Sequence, residues 1–287
     1  MADNMSAAPQ STRVEIARDD HMVVGDQWRV APSVGDVVLA HGGGQTRHAW
    51  HDTARLLAKR GWNVISYDAR GHGESEWRRD KDYSQEGYLG DLLAMMDLCV
   101  TPPVLVGASL GGMMSLVAAG EHPQRVRGLV LVDIALNTEN EETDRIRAFM
   151  DAYLDGFASL EAVAEAVHAY NPLRKRSSSL EGLKRNVKQR ADGRWYWRWD
   201  PAMIADRGKV PVWLARMKAA AKKVRVPTLL VRGDRSHMVD AVSVTEFLRF
   251  VPHAEVVDIH GAGHMVAGDD NNAFSVAVTD FLNRLQR

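Results

Sequence analysis

With 287 residues, 45% of them hydrophobic and 25% charged, the chain has the composition of an ordinary globular protein and is long enough for one α/β domain with an insertion. Lys and Arg number 36 against 37 Asp and Glu, and the resulting net charge of -1 lacks the basic excess of a nucleic-acid-binding protein. The single cysteine, Cys99, excludes an internal disulfide and lies in an apolar helical stretch, and no apolar run approaches the ~20 residues that span a bilayer.

Residues 1–12 read as a disordered lead-in without the basic start and apolar core of a secretory signal, so a cytoplasmic protein is expected. Arg13–Ala17 and Met22–Val30 read as an antiparallel pair at a sheet edge. Short β-branched runs follow at Asp36–Ala40, Asn63–Tyr67, Val104–Gly107 and Gly128–Asp133. Near-continuous apolar strings of this length suit strands buried on both faces of a parallel sheet. Amphipathic stretches at Ala54–Lys59, Glu86–Cys99 and Leu110–Glu121 alternate with them, which predicts βαβ units with right-handed crossovers. The rhythm stops after Leu136. From Asn137 to about Arg216 the chain reads as helical, polar and Trp-rich, with no convincing strand. Strands return at Thr228–Val231 and Glu255–Ile259, with helices at Val242–Phe250 and Asn272–Leu285. The predicted organisation is an α/β core of residues 13–136 and 217–287, interrupted by a helical cap of residues 137–216. The insertion leaves the sheet at a strand's C-terminal end, where open α/β sheets bind ligands.

Three segments carry chemistry. Gly107-Ala108-Ser109-Leu110-Gly111 matches G-x-S-x-G between a strand and a helix, a turn that lifts the serine above the sheet as a nucleophile. His41-Gly42-Gly43-Gly44 directly follows the first buried strand, and the N–H groups of Gly43 and Leu110 are candidates for an oxyanion hole. Gly261-Ala262-Gly263-His264 follows the last strand, placing an imidazole near the same edge as a general base.

These motifs, in this order, resemble the α/β-hydrolase superfamily: HGGGQTRHAW its oxyanion loop, YDARGHGES (Tyr67–Ser75) the signature after its fourth strand, GASLGG its nucleophile elbow and GAGHM its histidine loop. The likeness is greatest to capped bacterial hydrolases, among them esterases, C–C bond hydrolases, cofactor-free haloperoxidases, epoxide hydrolases and haloalkane dehalogenases. The last two use an aspartate where Ser109 stands, so neither of those chemistries is expected. The resemblance implies that Asp68, Arg70 and His72 shape a loop and that His41 anchors the oxyanion loop. It also implies an acid a few residues past the strand TLLV, where this chain has His237. Asp133, at the strand end that haloalkane dehalogenases use for their acid, is the preferred partner of His264. Asp234 is the second choice, and a pair without an acid is the third.

Trp195, Trp197 and Trp199 alternate in GRWYWRWDP, which puts them on one side of an extended segment, to wall an apolar or aromatic substrate pocket or to pack the cap on the core. No Cys/His cluster has zinc spacing, and Gly42-Gly43-Gly44 lacks the lysine of a phosphate loop, so no metal, nucleotide or other cofactor is expected. A small-molecule substrate is the expected partner, with no nucleic acid and no membrane. The predicted function is ester-like hydrolysis through an acyl-enzyme. C–C bond hydrolysis or perhydrolysis on the same residues is the first alternative, and a non-catalytic ligand-binding protein, which His237 would favour, is the second.

Overall fold

A computed structural model describes residues 9–18, 20–137, 141–171, 180–205, 210–263 and 271–286. Its centre is an eight-stranded sheet in the order β1 (Ser11–Arg18), β2 (His21–Trp28), β4 (Trp62–Tyr67), β3 (Gly35–Ala40), β5 (Val104–Ala108), β6 (Gly128–Val132), β9 (Thr228–Gly233), β10 (Glu255–Ile259). β1 and β2 are the antiparallel edge, and from β4 to β10 every pairing is parallel. The sheet is flanked by α1 (His51–Lys59), α2 (Gln85–Met96), α3 (Leu110–Glu121), α7 (Ala241–Phe250) and α8 (Asn271–Arg284).

The apolar strings make this sheet because they are apolar at both phases of a period-two strand. Val37, Leu39, Val104, Val106, Val130 and Val231 pack in one cluster with Leu57 of α1 and Phe274 and Phe281 of α8. Their neighbours Val38, Leu105, Leu129, Leu131 and Leu230 point the other way, into a cluster with Leu92 and Met95 of α2, Leu116 of α3 and Phe247 of α7. Local signals set the helix starts: Ser84 accepts a hydrogen bond from the N–H of Gly87 to cap α2, and Asp240 accepts one from that of Ser243 at 2.7 Å to cap α7.

Register decides where the site lies. Ala40 pairs with Gly107, Ala108 with Val132, and Val132 with Val231. The ends of β3, β5, β6 and β9 therefore share one edge, and the loops of His41, Ser109, Asp133 and Asp234 leave from it.

Between β6 and β9 the chain forms α4 (Glu141–Ala152), α5 (Leu160–Tyr170), the antiparallel hairpin β7 (Val187–Gln189)–β8 (Trp195–Trp197) and α6 (Val210–Ala221). The hairpin was not expected from the sequence, and its short strands are too brief to show a period. The expected border at residues 216 and 217 falls inside α6. Met217, Ala220 and Ala221 of that helix pack in the core cluster beside α3, and a Cβ on Gly120 would meet the Ala220 carbonyl oxygen at 2.3 Å. Among the described residues, no helix is long and apolar enough to cross a membrane.

Candidate active site

Ser109 sits in the one-residue turn between β5 and α3, at φ 46 and ψ -117. A left-handed conformation costs a non-glycine residue ~1–3 kcal/mol, so its surroundings must impose it. They do so through close packing of the glycines around it. A Cβ on Gly107 would lie 2.5 Å from the carbonyl oxygen of Gly111, one on Gly111 2.3 Å from that of Ala40, and one on Gly112 2.6 Å from Ile134 Cγ2. Three backbone hydrogen bonds complete the turn: Ser109 N to Val132 O at 3.3 Å, Gly111 N to His41 O at 3.1 Å and Met113 N to Ser109 O at 2.8 Å. Serine at a helix N-cap usually accepts from the first turn, but the Ser109 hydroxyl makes no such cap and remains half-buried over the helix N-terminus.

The loop after β3 is fixed by two neutral imidazoles. His41 Nε2 accepts from Ala69 N at 3.0 Å, which assigns the proton to Nδ1, 2.8 Å from Gly42 O. His72 Nε2 accepts from Gly44 N at 3.0 Å, and its Nδ1 lies 3.1 Å from Arg70 O. The rings meet edge-to-face with centroids 4.9 Å apart. Burial pushes both imidazoles down, His72 to about 3, so each keeps an acceptor nitrogen for the backbone at neutral pH. A Cβ on Gly42 would come within 3.3 Å of Ser109 Cβ, whereas one on Gly43 would meet nothing within 4 Å. Among the described residues none accepts a hydrogen bond from Gly43 N or Leu110 N, the two expected oxyanion donors.

Asp68, Arg70 and His72 are structural. Asp68 accepts from Arg47 N at 2.6 Å and from Glu74 N at 2.9 Å, and pairs with the Arg47 guanidinium. Arg70 meets Asp91 in a buried two-point pair at 2.7 and 2.9 Å. Burial pushes the Cys99 thiol up to about 12, which disfavours the thiolate form.

The two candidate acids sit in different environments. Asp133, one residue past β6, is 1% exposed and also left-handed, at φ 49. Its N–H continues the sheet to Val231 O at 2.8 Å, and its Oδ2 accepts from Ser236 Oγ at 2.6 Å. Asp234 is exposed and engaged with the turn after β10. One oxygen lies 3.0 Å from His260 Nδ1, and the other accepts from Gly261 N at 2.7 Å. These contacts hold the carboxyl below the usual aspartate range. His237 is exposed, whereas Ser236 before it and Met238 after it are buried. His264 lies outside the described residues. The chain leading to it is tightly placed, since a Cβ on Gly233 would meet Ala262 O at 2.2 Å and Gly263 O at 2.5 Å, and Arg235 N donates to Ala262 O at 3.1 Å.

The three tryptophans do not share one environment. Trp197 packs on Phe149 and Phe157 at centroid distances of 5.8 and 5.2 Å, inside a small cluster built within the inserted segment, and Trp195 joins that cluster. Trp199 is 3% exposed and reaches the loop after β3: a Cβ on Gly44 would lie 3.9 Å from Trp199 Nε1 and 3.6 Å from Met150 Cε. The segment is tied down beside the same loop by Gly73 N to Arg198 O at 2.7 Å, Asp200 N to Gly71 O at 2.8 Å and Tyr83 Oη to Asp200 Oδ2 at 2.5 Å. Met150 and Ser236 carried no sequence signal, because each meets the site only through tertiary contact.

The description alpha/beta hydrolase fold matches residues 36–270. The chain belongs to the α/β-hydrolase family. It is 31% identical over 255 residues to Esterase Rv0045c of Mycobacterium tuberculosis, a match covering 86% of this chain and 82% of that one. It is 27% identical over 226 residues to the 2-(acetamidomethylene)succinate hydrolase of Mesorhizobium japonicum, covering 77% and 79%. A solved structure of the M. tuberculosis esterase superposes with a TM-score of 0.78 at 26% identity, covering 96% of this chain and 93% of that one. As a member of this α/β-hydrolase family the protein is a hydrolase, with its mostly parallel sheet in the family arrangement.

Proposed function

We propose that the protein is a serine hydrolase that cleaves a carboxylic ester or related acyl bond of a small apolar or aromatic molecule through an acyl-enzyme. The observation that carries this reading is Ser109 itself: a serine held at φ 46 among closely packed glycines, with its hydroxyl unused as a cap and the HGGG loop so near that a Cβ on Gly42 would lie 3.3 Å from its own Cβ.

In the proposed cycle His264 takes the Ser109 proton as the oxygen attacks the substrate carbonyl. The Gly43 and Leu110 N–H groups hold the oxyanion, each worth ~3–4 kcal/mol in comparable sites. His264 then protonates the leaving alcohol. A water, deprotonated by His264, releases the acid and restores the serine. Asp133 fixes the imidazole tautomer and stabilises the imidazolium. Its burial and its seat beside Ser109 on the sheet edge support this choice, and the engagement of Asp234 with Gly261 and His260 argues against the alternative. The inserted segment acts as a cap, with Trp199 and Met150 as the side chains over the oxyanion loop. The names of the relatives, an esterase and a hydrolase, favour this chemistry over a protein that only binds its ligand.

A fluorophosphonate probe tests the nucleophile. Rapid labelling of the wild type, lost in Ser109→Ala together with p-nitrophenyl ester hydrolysis, is the expected result. Wild-type protein that stays unlabelled on a fully folded sample would reject the reading. An ester panel run beside an aromatic diketone separates ester hydrolysis from C–C bond cleavage.

A further inference from the structure

The β9 loop ends its contribution to the site in Ser236, 103 residues from its partner in sequence. Ser236 is 8% exposed and sits between Asp234 and His237, both of which face solvent or the surface turn. Its own N–H donates to Gly233 O at 3.0 Å, and its neighbour Arg235 is tied to Ala262 O at 3.1 Å, so the side chain leaves a fixed backbone. The hydroxyl oxygen accepts from Met238 N at 3.1 Å. With that N–H approaching the oxygen, the hydroxyl proton is directed at the remaining neighbour, Asp133 Oδ2, at 2.6 Å. That length falls in the range of O–H···O⁻ bonds to a charged acceptor.

A carboxylate at a strand end has a soft terminal torsion, since sp³–sp² rotations are broad wells. Asp133 leaves β6 at φ 49, which sets its backbone, and the bond from Ser236 acts on the rotation of its carboxyl group. We propose that Ser236 is a positioning residue for hydrolysis, locking the Asp133 carboxylate so that Oδ2 is held by the loop and Oδ1 serves the imidazole. This rests on the reading of Asp133 as the acid given above. The loop that ends in His237 thus supplies a hydroxyl that orients an acid carried by the neighbouring strand.

The test is a double-mutant cycle on purified full-length protein with a p-nitrophenyl ester. Ser236→Ala should lower kcat about ten- to a hundredfold, the span expected for losing a hydrogen bond to a charged group, with KM within twofold of wild type. Ser236→Thr, which keeps the hydroxyl, should recover most of kcat. Ser236→Cys, of similar shape and a weak donor, should fall between and covers the case in which the alanine variant folds poorly. Asp133→Asn should lose about 10³–10⁴, and adding Ser236→Ala to it should cost no more than twofold further. Wild-type kcat in folded Ser236→Ala and Ser236→Cys, with Asp133→Asn impaired, would overturn the role of Ser236 and leave the acid assignment standing. Full additivity of the two losses would overturn it in the same way. Wild-type kcat in Asp133→Asn would overturn both.

Discussion

At the ends of β5 and β6 the backbone itself is forced. Ser109 and Asp133 take φ values of 46 and 49, and among the described residues Lys81 is the other non-glycine residue in that region. Around the elbow a Cβ on Gly107 or Gly111 would come within 2.3–2.6 Å of neighbouring backbone, so no side chain larger than hydrogen fits there. The segment inserted between β6 and β9 is built differently. It has its own small cluster around Phe157, Val163, Ala166 and Val187, is tied to the loop after β4 by backbone hydrogen bonds at Gly71 and Gly73, and approaches Gly44 with the side chains of Met150 and Trp199. The difference separates two requirements. On the proposed function, bond-making geometry would be stored in backbone that cannot relax, where strain collects at reacting groups. Substrate fit would be carried by side chains that can be exchanged without rebuilding the fold.

The sharpest way to break this contrast is at the acids. Asp133→Asn keeps the shape of a residue at a strained strand end and removes its charge, so kcat should fall by about 10³–10⁴. Asp234→Asn, in the exposed turn, should leave kcat within about threefold of wild type. Steady-state kinetics on both folded variants decides, and the reverse pattern would move the acid out of the strained edge.

A stability measurement probes the same contrast without chemistry. Gly111→Ala drives a Cβ to 2.3 Å from the Ala40 carbonyl, a backbone atom that cannot step aside, and should cost ~3 kcal/mol or more in denaturant unfolding. Gly43→Ala, where a Cβ has open space, should stay within ~0.5 kcal/mol. Equal losses at the two positions would mean that packing does not impose the elbow.

Much of the strained edge was legible because its causes are local. Period-two apolar strings announce buried strands, and a serine among glycines between strand and helix announces the elbow. The HGGG and GAGH loops follow their strands directly. The tertiary contacts were not legible. Asp133 was visible only as an aspartate ending a strand, and its bond to Ser236 exists because β6 and β9 become neighbours across the whole inserted segment. Alternation in GRWYWRWDP foretold an extended stretch. Only the three-residue hairpin and its pairing with Phe157 reveal that Trp197 turns into the segment's own cluster while Trp199 turns toward Gly44. The border drawn at residue 216 falls within α6, whose sequence VPVWLARMKAAA runs on there without a turn residue to mark a boundary.

The oxyanion loop should also make stability depend on pH. His41 and His72 hold their protons less tightly in the folded protein, whereas in the unfolded chain they titrate near ~6.5. Below that pH the unfolded state binds more protons, so stability falls as pH drops from about 6.5 toward 4.5, before most carboxylates respond, by up to ~1.4 kcal/mol per pH unit for each imidazole. His72→Gln retains an acceptor for Gly44 N–H and removes one titration, so it should flatten the slope in urea unfolding measured across that window. An unchanged slope would mean that the buried pair is not what couples the loop to protons.

The smallest expected effect is on selectivity, and it bears on the replaceable half of the contrast. Trp199 and Met150 are the side chains nearest the missing Cβ of Gly44, and Trp199 is buried there. Cutting Trp199 to alanine opens space next to the oxyanion loop while the elbow, set by its own glycines, stays in place. The ratio of kcat/KM for an aromatic over a short acyl ester should then change by about tenfold, the scale on which apolar pockets discriminate. Trp197→Ala removes a ring packed against Phe149 and edge-on to Phe157 in the segment's own cluster. It should lower stability by ~2 kcal/mol and leave the ratio within about twofold. Should Trp197→Ala move the ratio as far as Trp199→Ala, the cluster inside the inserted segment would have to shape the substrate space as a unit. Selectivity would then rest on a second fixed framework and not on exchangeable side chains.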